Sequence, residues 1–424
     1  MNKSILLMND SYPPLIDGVA NTVMNYASIL KNDGWNPLVA TPAHPEADDS
    51  KFPYPILRYP SIDTRKQLGY MAGMPFSPSL MARVKEENVS LIHTHCPIAS
   101  TLVGRSVSEH LDVPMILTYH TKFDVDIRMA LHNRLLTEGA IKAIVSNINS
   151  CDEVWAVSHG AGENLRMLGY EGEIVVMENG VDMAKGRLPE EEVRELTSDV
   201  YIPEGLPVFL FVGRMKWYKG IRTILDALAG LSYNGTDFRM VFVGSGADLD
   251  DIIDYAAASN IGNKCLFLGA IRDRKRLKAW YCRANLFLFP SDYDTYGLVV
   301  REAASCSTAS VLLEGSCAAE GVTDGRNGFL INNNASTLAI LLSRLTENPR
   351  LMEFAGQYAA EDLYISWDTA VHKAVERYAI VDDLYRSGKY NKKRRISDSL
   401  FEFSGELMNM FSKMRLHRSK DDDE

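Results

Sequence analysis

The chain has 424 residues, of which 46% are hydrophobic and 24% are charged, the composition of a folded globular protein. This length exceeds what one hydrophobic core accommodates, so we expect at least two domains. The balance of 45 Lys and Arg against 55 Asp and Glu leaves a net charge of −10, which excludes a nucleic-acid footprint over the whole surface. The six cysteines form no Cys-x-x-Cys pair and are expected to be reduced thiols.

The first apolar run, residues 5–8, is shorter than the apolar region of a signal peptide and is interpreted as a buried strand. No segment approaches the ~18 uncharged apolar residues expected of a membrane span. We therefore expect a cytoplasmic protein, with at most a peripheral position at the inner face of a membrane.

Short runs rich in Val, Ile, Leu and Phe alternate with amphipathic segments of helix length. The predicted strands form two series, residues 5–8, 38–41, 91–94, 115–119 and 153–157, then 208–212, 240–243, 265–268, 286–289, 311–313 and 329–331. Alternation of this kind predicts parallel sheets with helices on both faces. The expected fold class is α/β, with two doubly wound Rossmann-like domains facing each other across a cleft and a C-terminal helical extension.

The domain boundaries follow from changes in composition. We predict an N-terminal Rossmann-like domain at 1–182 and a charged, Pro-bearing linker at 183–205. A second Rossmann-like domain follows at 206–365, and a helix at 366–388 is expected to pack back toward the N-terminal domain. Residues 389–424 form a basic amphipathic tail.

The tail begins with a basic cluster and continues with an apolar stripe at helical spacing. The cluster comprises Lys389, Lys392, Lys393, Arg394 and Arg395, and the stripe comprises Leu400, Phe403, Leu407, Met410 and Met414. Such a segment suits an anionic membrane surface. It also suits docking on the protein itself or on a partner helix.

Two cations stand in the segment VGRMKWYKG, residues 212–220. Arg214 and Lys219 follow a predicted strand, and Gly220 opens a helix. Cations at a strand's carboxyl edge can stabilise the charge on a departing nucleoside diphosphate. The alternative is a solvated basic loop without a ligand.

Two carboxylates flank a predicted helix start in FPSDYDTYGLVVRE, residues 289–302. Asp294 lies in the loop, and Glu302 lies in the second turn of the helix. The backbone N–H groups of Tyr296, Gly297 and Leu298 can bind phosphate oxygens, and the carboxylates can bind sugar hydroxyls. The alternative makes Asp294 a helix cap and Glu302 a surface residue.

In order along the chain, these motifs resemble glycosyltransferase family 4, the retaining enzymes of the GT-B fold. The resemblance runs from Lys3 to about Tyr385. It includes PPLIDGVANTV (13–23), TYHTKFD (118–124), ENGVD (178–182), VGRMKWYKG and FVGSGAD (242–248), together with the carboxylate pair.

The resemblance implies transfer of a hexosyl group from a UDP- or GDP-sugar, with retention at the anomeric carbon and without a metal or other cofactor. It also implies that the domain at 1–182 binds the acceptor and that the domain at 206–365 binds the nucleotide sugar. It implies that Arg214 and Lys219 hold the diphosphate, that Glu302 holds the ribose and that Asp294 holds the transferred sugar. The remaining implied donor contacts are Gly18, Thr295, Tyr296, Gly297 and Leu298. His120 is implied to line the catalytic centre against the transferred sugar, without acting as a general base.

Two positions depart from the family pattern. Asp294 stands where the family usually has Glu, and Asp17-Gly18 stands where it usually has Gly-Gly. The backbone at Gly18 can still approach a diphosphate closely. Asp17 would repel a phosphate unless its carboxylate turns away or binds the acceptor.

The sequence leaves the identity of the acceptor open, together with three alternative interpretations of the function or mechanism. YHTKF resembles segments of relatives that glycosylate diacylglycerol, so a lipid or lipid-linked glycan acceptor is expected. A soluble transferase acting on a small polyol, sugar phosphate or polysaccharide is the first alternative, and a binding protein that has lost turnover is the second. In the third, Asp124-Val-Asp126 or Asp292-Tyr-Asp294 would hold a divalent cation on the diphosphate.

Overall fold

A computed structural model describes residues 3–65, 71–74, 77–130 and 133–390. The chain divides into two compact units. Unit 1 comprises the residues up to Glu178 and those from Ala370 onward, and unit 2 comprises Asn179–Thr369.

Unit 1 contains, in its described part, a sheet of seven parallel strands and a separate antiparallel pair. The strands are β1 (Ser4–Met8), β2 (Asn36–Pro42), β3 (Ile56–Tyr59), β4 (Ser61–Asp63), β5 (Met71–Gly73), β6 (Val89–Thr94), β7 (Met115–Tyr119), β8 (Glu153–Ala156) and β9 (Ile174–Val176). The order of the parallel sheet is β3-β2-β1-β6-β7-β8-β9, and β4 pairs with β5. Every residue of β1, β7 and β8 is buried, as expected when helices cover both faces of a parallel sheet.

Four of the six helices described in this part of the chain begin at polar caps that the sequence supplies locally. The six helices are α1 (Gly18–Asn32), α2 (Pro78–Glu86), α3 (Ala99–Leu111), α4 (Phe123–Ala130), α5 (Arg134–Ile148) and α6 (His159–Met167). The side chains of Asp17, Ser77, Asn133 and Ser158 accept hydrogen bonds from first-turn amides of α1, α2, α5 and α6. These caps satisfy backbone donors that have no partner inside the helix.

Unit 2 contains, among the described residues, a sheet of six parallel strands. The strands are β10 (Val208–Val212), β11 (Arg239–Val243), β12 (Cys265–Phe267), β13 (Leu286–Phe289), β14 (Ala309–Leu313) and β15 (Phe329–Ile331). Their order is β12-β11-β10-β13-β14-β15, so the chain changes direction across the sheet at β10. Ligands of doubly wound sheets bind beyond the carboxyl ends of the strands at such a switch point.

The remaining helices are α7 (Glu190–Leu196), α8 (Ile221–Tyr233), α9 (Leu249–Ala258), α10 (Arg274–Arg283), α11 (Leu298–Ser305), α12 (Ala335–Glu347), α13 (Pro349–Asp362) and α14 (Trp367–Arg386). From Ala370 onward, α14 belongs to unit 1. There its Tyr378 stacks on Trp155 with ring centroids 5.5 Å apart, and its Arg377 makes a bidentate ion pair with Glu153.

The segment 183–205 is not a linker, contrary to our prediction. It lies within unit 2, where Met183, Val193 and Ile202 are part of the hydrophobic core. Arg187 donates hydrogen bonds to the backbone carbonyls of Cys282 and Cys306. The charged residues of this segment face water while these few residues anchor it, and the division between the units falls at residue 178 rather than 182.

The predicted basic cluster, except Lys389, and the whole predicted apolar stripe lie outside the described residues. Lys389 ends a turn after α14, where its backbone N–H bonds to the carbonyl of Leu384. None of the helices in the described part of the chain has the length and apolar character needed to cross a bilayer.

Replacing either of two helical glycines of unit 2 by alanine should change the stability of the protein, in opposite directions. A Cβ at Gly356, in α13, would lie 2.1 Å from the carbonyl oxygen of Ser307, whereas a Cβ at Gly230, in α8, would meet only Ala339 at 3.8 Å. Gly356→Ala should destabilise the protein by about 2 kcal/mol or more through overpacking. Gly230→Ala should stabilise it by about 0.5–1 kcal/mol, because alanine loses less backbone entropy in a helix.

Thermal unfolding of the two variants beside wild type checks this pair. Equal melting temperatures for Gly356→Ala and wild type would contradict the close approach of α13 to the loop before β14.

Candidate active site

Lys219 is placed by the turn that follows β10. Residues Trp217–Lys219 form one 3₁₀ turn, and Gly220 reverses the chain with φ +78° before α8 begins. A Cβ at Gly220 would lie 2.0 Å from the carbonyl oxygen of Pro290, so only glycine allows this approach. The turn therefore brings Lys219 against the loop that follows the neighbouring strand β13.

Lys219 and Asp294 form an ion pair at this edge of the sheet. Lys219 Nζ lies 2.6 Å from Asp294 Oδ1, and Ser291 Oγ donates to Asp294 Oδ2 at 2.6 Å. The side chains are only 8% and 21% exposed. The ammonium also lies 5.3–5.8 Å from the ring centroids of Tyr218, Phe289 and Tyr293. The two charges are therefore held in place and largely shielded from water at the carboxyl edge of the sheet.

Arg214 supplies a second cation two residues after the end of β10. Its side chain is exposed and makes no hydrogen bond or ion pair with any described residue. A guanidinium in this state can bind phosphate oxygens without breaking a protein contact.

The start of α11 is open to an anion. Its N-cap is Gly297 with φ +70°, and no side chain caps the first turn. A Cβ at Gly297 would lie 2.9 Å from Ala318 Cβ, so glycine is required both by the space and by the backbone conformation. Leu298 begins the helix at its positive end, where amides favour anions. Thr295 and Tyr296 belong to the same loop.

Glu302 is held by two residues of one face of α10. Arg274 donates to its Oε1 at 2.7 Å, and Tyr281 donates to its Oε2 at 2.9 Å. Burial, reinforced by the Glu302 carboxylate, raises the pKa of Tyr281 well above its usual range, so the hydroxyl remains a donor. The carboxylate is 12% exposed and its orientation is determined by these contacts, which a surface acid would lack.

Carboxylates already occupy two helix starts in unit 1. Asp17 Oδ1 accepts from the amides of Val19 and Ala20 at 2.9 and 2.7 Å. Asp10 accepts from the amides of Ala99 and Ser100, at the start of α3, at 3.0 and 2.7 Å. Gly18 begins α1 beside the Asp17 carboxylate, which is turned into the helix as a cap. These amides are therefore not available to a phosphate while the caps remain.

His120 lies at the carboxyl end of β7, in contact with a second histidine. Its Nε2 is 2.9 Å from Nδ1 of His95, which follows β6, and the two rings stack 5.2 Å apart. His93, in β6, lies 4.0 Å from His95. Burial lowers the pKa of His120 to about 3 and lowers the pKa of His93 and His95 well below the usual range, with neighbouring imidazoles adding to both. All three rings are therefore neutral near pH 7.

The structure brings part of the predicted site together. Arg214, Lys219, Asp294, Thr295–Leu298 and Glu302 all lie in unit 2, in or just after the loops that follow the adjacent strands β10 and β13. Gly18 and His120 lie in unit 1, and their predicted roles stay predictions. Asp294 is not the cap of α11, because the N-cap is Gly297 and no side chain caps the first turn, so this alternative interpretation of Asp294 is wrong.

Sequence reasoning missed the residues that hold the predicted ones, namely Ser291, Arg274, Tyr281 and His95, and it also missed His93, which lies beside His95. Two signals were available. Arg274 and Tyr281 are seven residues apart and therefore share one helix face, and His93 and His95 alternate at the end of a predicted strand.

Two family models match the chain. Residues 16–185 match the model described as Glycosyltransferase Family 4, and residues 193–362 match that described as Glycosyl transferases group 1. The chain belongs to glycosyltransferase family 4. It is a glycosyltransferase, and its two doubly wound units are those of the GT-B fold.

Three similar proteins illustrate the relationship. Alpha-monoglucosyldiacylglycerol synthase of Streptococcus pneumoniae is 24% identical over 82% of this chain and 79% of its own. The enzyme of the same name from Acholeplasma laidlawii is 24% identical over 82% of this chain and 89% of its own. The structure of the Anabaena protein HepE in complex with UDP and glucose has a TM-score of 0.69 and 20% identity, with coverage of 88% of this chain and 99% of that one.

The three neutral histidines predict that acid destabilises unit 1. Below pH ~6.5 the unfolded chain protonates each histidine while the folded chain does not, so the free energy of unfolding falls with pH by about 1.4 kcal/mol per pH unit for each. For His120 this loss continues toward pH 3, its folded pKa. Urea titrations between pH ~7 and ~5 measure the slope.

The variant His95→Asn lacks the proton that His95 binds in the unfolded chain. The pH slope of the free energy of unfolding that the three histidines cause should therefore decrease by about one third if they contribute equally. An unchanged slope in this variant would mean that His95 is charged in the folded state.

Proposed function

We propose that this glycosyltransferase moves a hexosyl group from a UDP- or GDP-sugar to a lipid or lipid-linked acceptor such as diacylglycerol, with retention at the anomeric carbon and without a metal. The observation that carries the proposal is the Lys219–Asp294 pair in unit 2, where Asp294 lies in the loop that leads to the open start of α11 and Arg214 follows the neighbouring strand β10.

The donor diphosphate would bind the cations of unit 2. Arg214 is exposed and unpaired among the described residues, and α11 starts without a side-chain cap. Lys219 is nearly buried and is held at a known position by Asp294. Fixed cations and helix amides of this kind stabilise the negative charge that develops as the sugar leaves, without reorganisation during the reaction. The Anabaena neighbour with bound UDP supports a uridine nucleotide as the first donor to test.

The two carboxylates would bind hydroxyls on either side of the diphosphate. Asp294 is fixed by Lys219 and Ser291 and is assigned to the transferred sugar. Glu302 is fixed by Arg274 and Tyr281 and is assigned to the ribose. Each carboxylate oxygen retains acceptor capacity for a hydroxyl after one protein hydrogen bond.

The Lys219–Asp294 contact also supports catalysis without a metal. In the rival interpretation, Asp292 and Asp294 would hold a divalent cation. The ammonium of Lys219 already stands 2.6 Å from Asp294, and a divalent cation at that carboxylate would repel it. Lys219 therefore takes the position that the rival interpretation gives to the metal, and it supplies part of the same charge.

The acceptor assignment rests on the relatives. Two of the similar proteins are named as synthases of a glucosylated diacylglycerol, and their alignments cover most of both chains. At 24% identity this supports a lipid acceptor as the first class to test, with a small polyol, a sugar phosphate or a polysaccharide as the alternative.

Lys219→Ala should lower the turnover number by about 10²-fold, the usual loss when one group that stabilises developing charge is removed. The matched control is Lys216→Ala in the same loop, because Lys216 is paired with Asp248 at 3.0 Å and is not assigned to the donor. This control should retain turnover within about 3-fold. Transfer rates with UDP-glucose and GDP-mannose measure both, and equal effects of the two substitutions would contradict the diphosphate assignment.

Truncation after Tyr390 tests the lipid acceptor and the tail together. Tyr390 is retained because its hydroxyl donates to Glu153 at 3.0 Å within unit 1. If the tail attaches the enzyme to membranes, removal of residues 391–424 should lower transfer to diacylglycerol in anionic vesicles by about 10-fold or more, since such attachment requires basic and apolar groups together. Hydrolysis of the donor in solution should be unchanged.

Mass spectrometry of the products distinguishes the alternatives. Transfer to a soluble polyol or sugar phosphate, unaffected by the truncation, would contradict the lipid assignment. Absence of both transfer and donor hydrolysis in wild type and in Asp294→Glu would favour a binding protein without turnover.

A further inference from the structure

A cluster of three histidines in unit 1, His93, His95 and His120, contains one ring nitrogen without a hydrogen-bond partner among the described residues. His93 is satisfied on both sides, with Nδ1 2.7 Å from the hydroxyl of Tyr378 and Nε2 2.7 Å from that of Thr118. His95 bonds to His120 through Nδ1. Its Nε2 has no hydrogen-bond partner among the described residues. Because the residue is only 2% exposed, this nitrogen is also buried away from solvent.

The 2.9 Å contact between His95 and His120 admits two arrangements of one proton. In the first, His95 Nδ1–H donates to His120 Nε2, and His95 Nε2 carries a lone pair. In the second, His120 Nε2–H donates to His95 Nδ1, and His95 Nε2 carries a hydrogen. Both rings are neutral in either case, because burial disfavours the charged imidazole.

The environment of His95 Nε2 distinguishes the two arrangements. The second would leave an N–H donor buried without an acceptor, and such orphaned donors are rarer in proteins than unsatisfied acceptors. The nearest aromatic neighbour of His95 besides the histidines is Tyr26, whose ring lies 5.4 Å away at 71°. An N–H···π contact is a weak substitute for a hydrogen bond. The first arrangement is therefore favoured.

We propose that His95 is a positioning residue for His120: its Nδ1–H donates to Nε2 of His120 and holds that ring as the neutral tautomer with its proton on Nδ1. The proposal deepens the transferase function proposed above, on which only its activity readout rests.

This tautomer determines what His120 does in the reaction. Its Nε2 lone pair is engaged by His95, so the ring has no free lone pair with which to take a proton from the acceptor. Its Nδ1–H can only donate, so it would orient a hydroxyl of the transferred sugar by offering that oxygen a hydrogen bond. His120 is then a hydrogen-bond donor to the sugar and not a general base.

Nitrogen-15 NMR of the histidine side chains tests the tautomer without substrate. In ¹⁵N-histidine-labelled, full-length protein, the His120 signal is identified by its disappearance in His120→Gln. The expected pattern is a protonated Nδ1 and an unprotonated Nε2. A protonated Nε2 on His120 overturns the proposal, whatever the transferase activity proves to be.

Variants of His95 test the functional consequence. In His95→Asn, the amide nitrogen can stand where Nδ1 stood and can keep donating to His120, whereas His95→Leu cannot donate. His95→Leu should lower kcat by about 10-fold to 100-fold with little change in the KM for the donor, the usual loss when the outer partner of a working histidine is removed. His95→Asn should recover most of this loss and keep the His120 tautomer.

His93→Asn is the matched control, because His93 is equally buried, stands two residues earlier and bonds to Tyr378 and Thr118 instead of His120. It should leave the His120 tautomer unchanged and kcat within about 3-fold of wild type. Equal losses of kcat in His93→Asn, His95→Asn and His95→Leu would overturn the proposal in favour of packing alone. If neither the wild type nor any variant transfers sugar, the proposed function is wrong. The NMR measurement still determines the tautomer of His120 in that case.

Discussion

The ion pair between Lys219 and Asp294 joins the loops that follow two neighbouring strands of unit 2, and most of the proposed donor site depends on it. Neither charge is well hydrated, so each would be unfavourable without the other. Ser291 and the surrounding aromatic rings hold the pair in one geometry. The close approach of Gly220 to Pro290, which permits this geometry, is possible only because glycine has no side chain.

Four helix starts differ in the way that their positive ends are satisfied. In unit 1, Asp17 and Asp10 supply carboxylates to the first amides of α1 and α3. In unit 2, α8 and α11 both begin at glycines in the left-handed conformation, without a side-chain cap. An amide that already donates to a protein carboxylate is not available to an anion, so of these four helix starts only the two in unit 2 have first-turn amides open to a phosphate. This distribution explains how Asp17 is accommodated in a family that usually has glycine there.

Most of the buried polar atoms discussed above have a hydrogen-bond partner. Glu302 has a hydrogen bond at each oxygen, from Arg274 and Tyr281, and His93 has one at each ring nitrogen. His95 differs, because its Nε2 has no hydrogen-bond partner among the described residues. Buried polar groups are nearly always satisfied, so an exception beside the predicted catalytic histidine is informative about protonation as well as about packing.

Much of the fold was predictable from local patterns. Strands β7, β10, β13 and β15 have the predicted bounds, because a parallel strand buried on both faces leaves a continuous apolar run. The parallel strands β3 and β9 were missed, since all of their residues except the buried Tyr59 are only partly buried at the edges of the sheet. The segment 183–205 was misassigned because its composition is charged, although its anchoring residues are apolar and widely spaced.

The sequence by itself determined the two strand series and the family, and it singled out Arg214, Lys219, Asp294 and Glu302 as candidate site residues, because these depend on short motifs and on periodicity along the chain. Only the tertiary structure decided which partner each side chain has. Lys219 and Asp294 are 75 residues apart, Glu302 and Arg274 are 28 apart, and His95 and His120 are 25 apart. Such pairs arise from the lateral order of the strands and from the helix that packs beside them, and no local pattern encodes either.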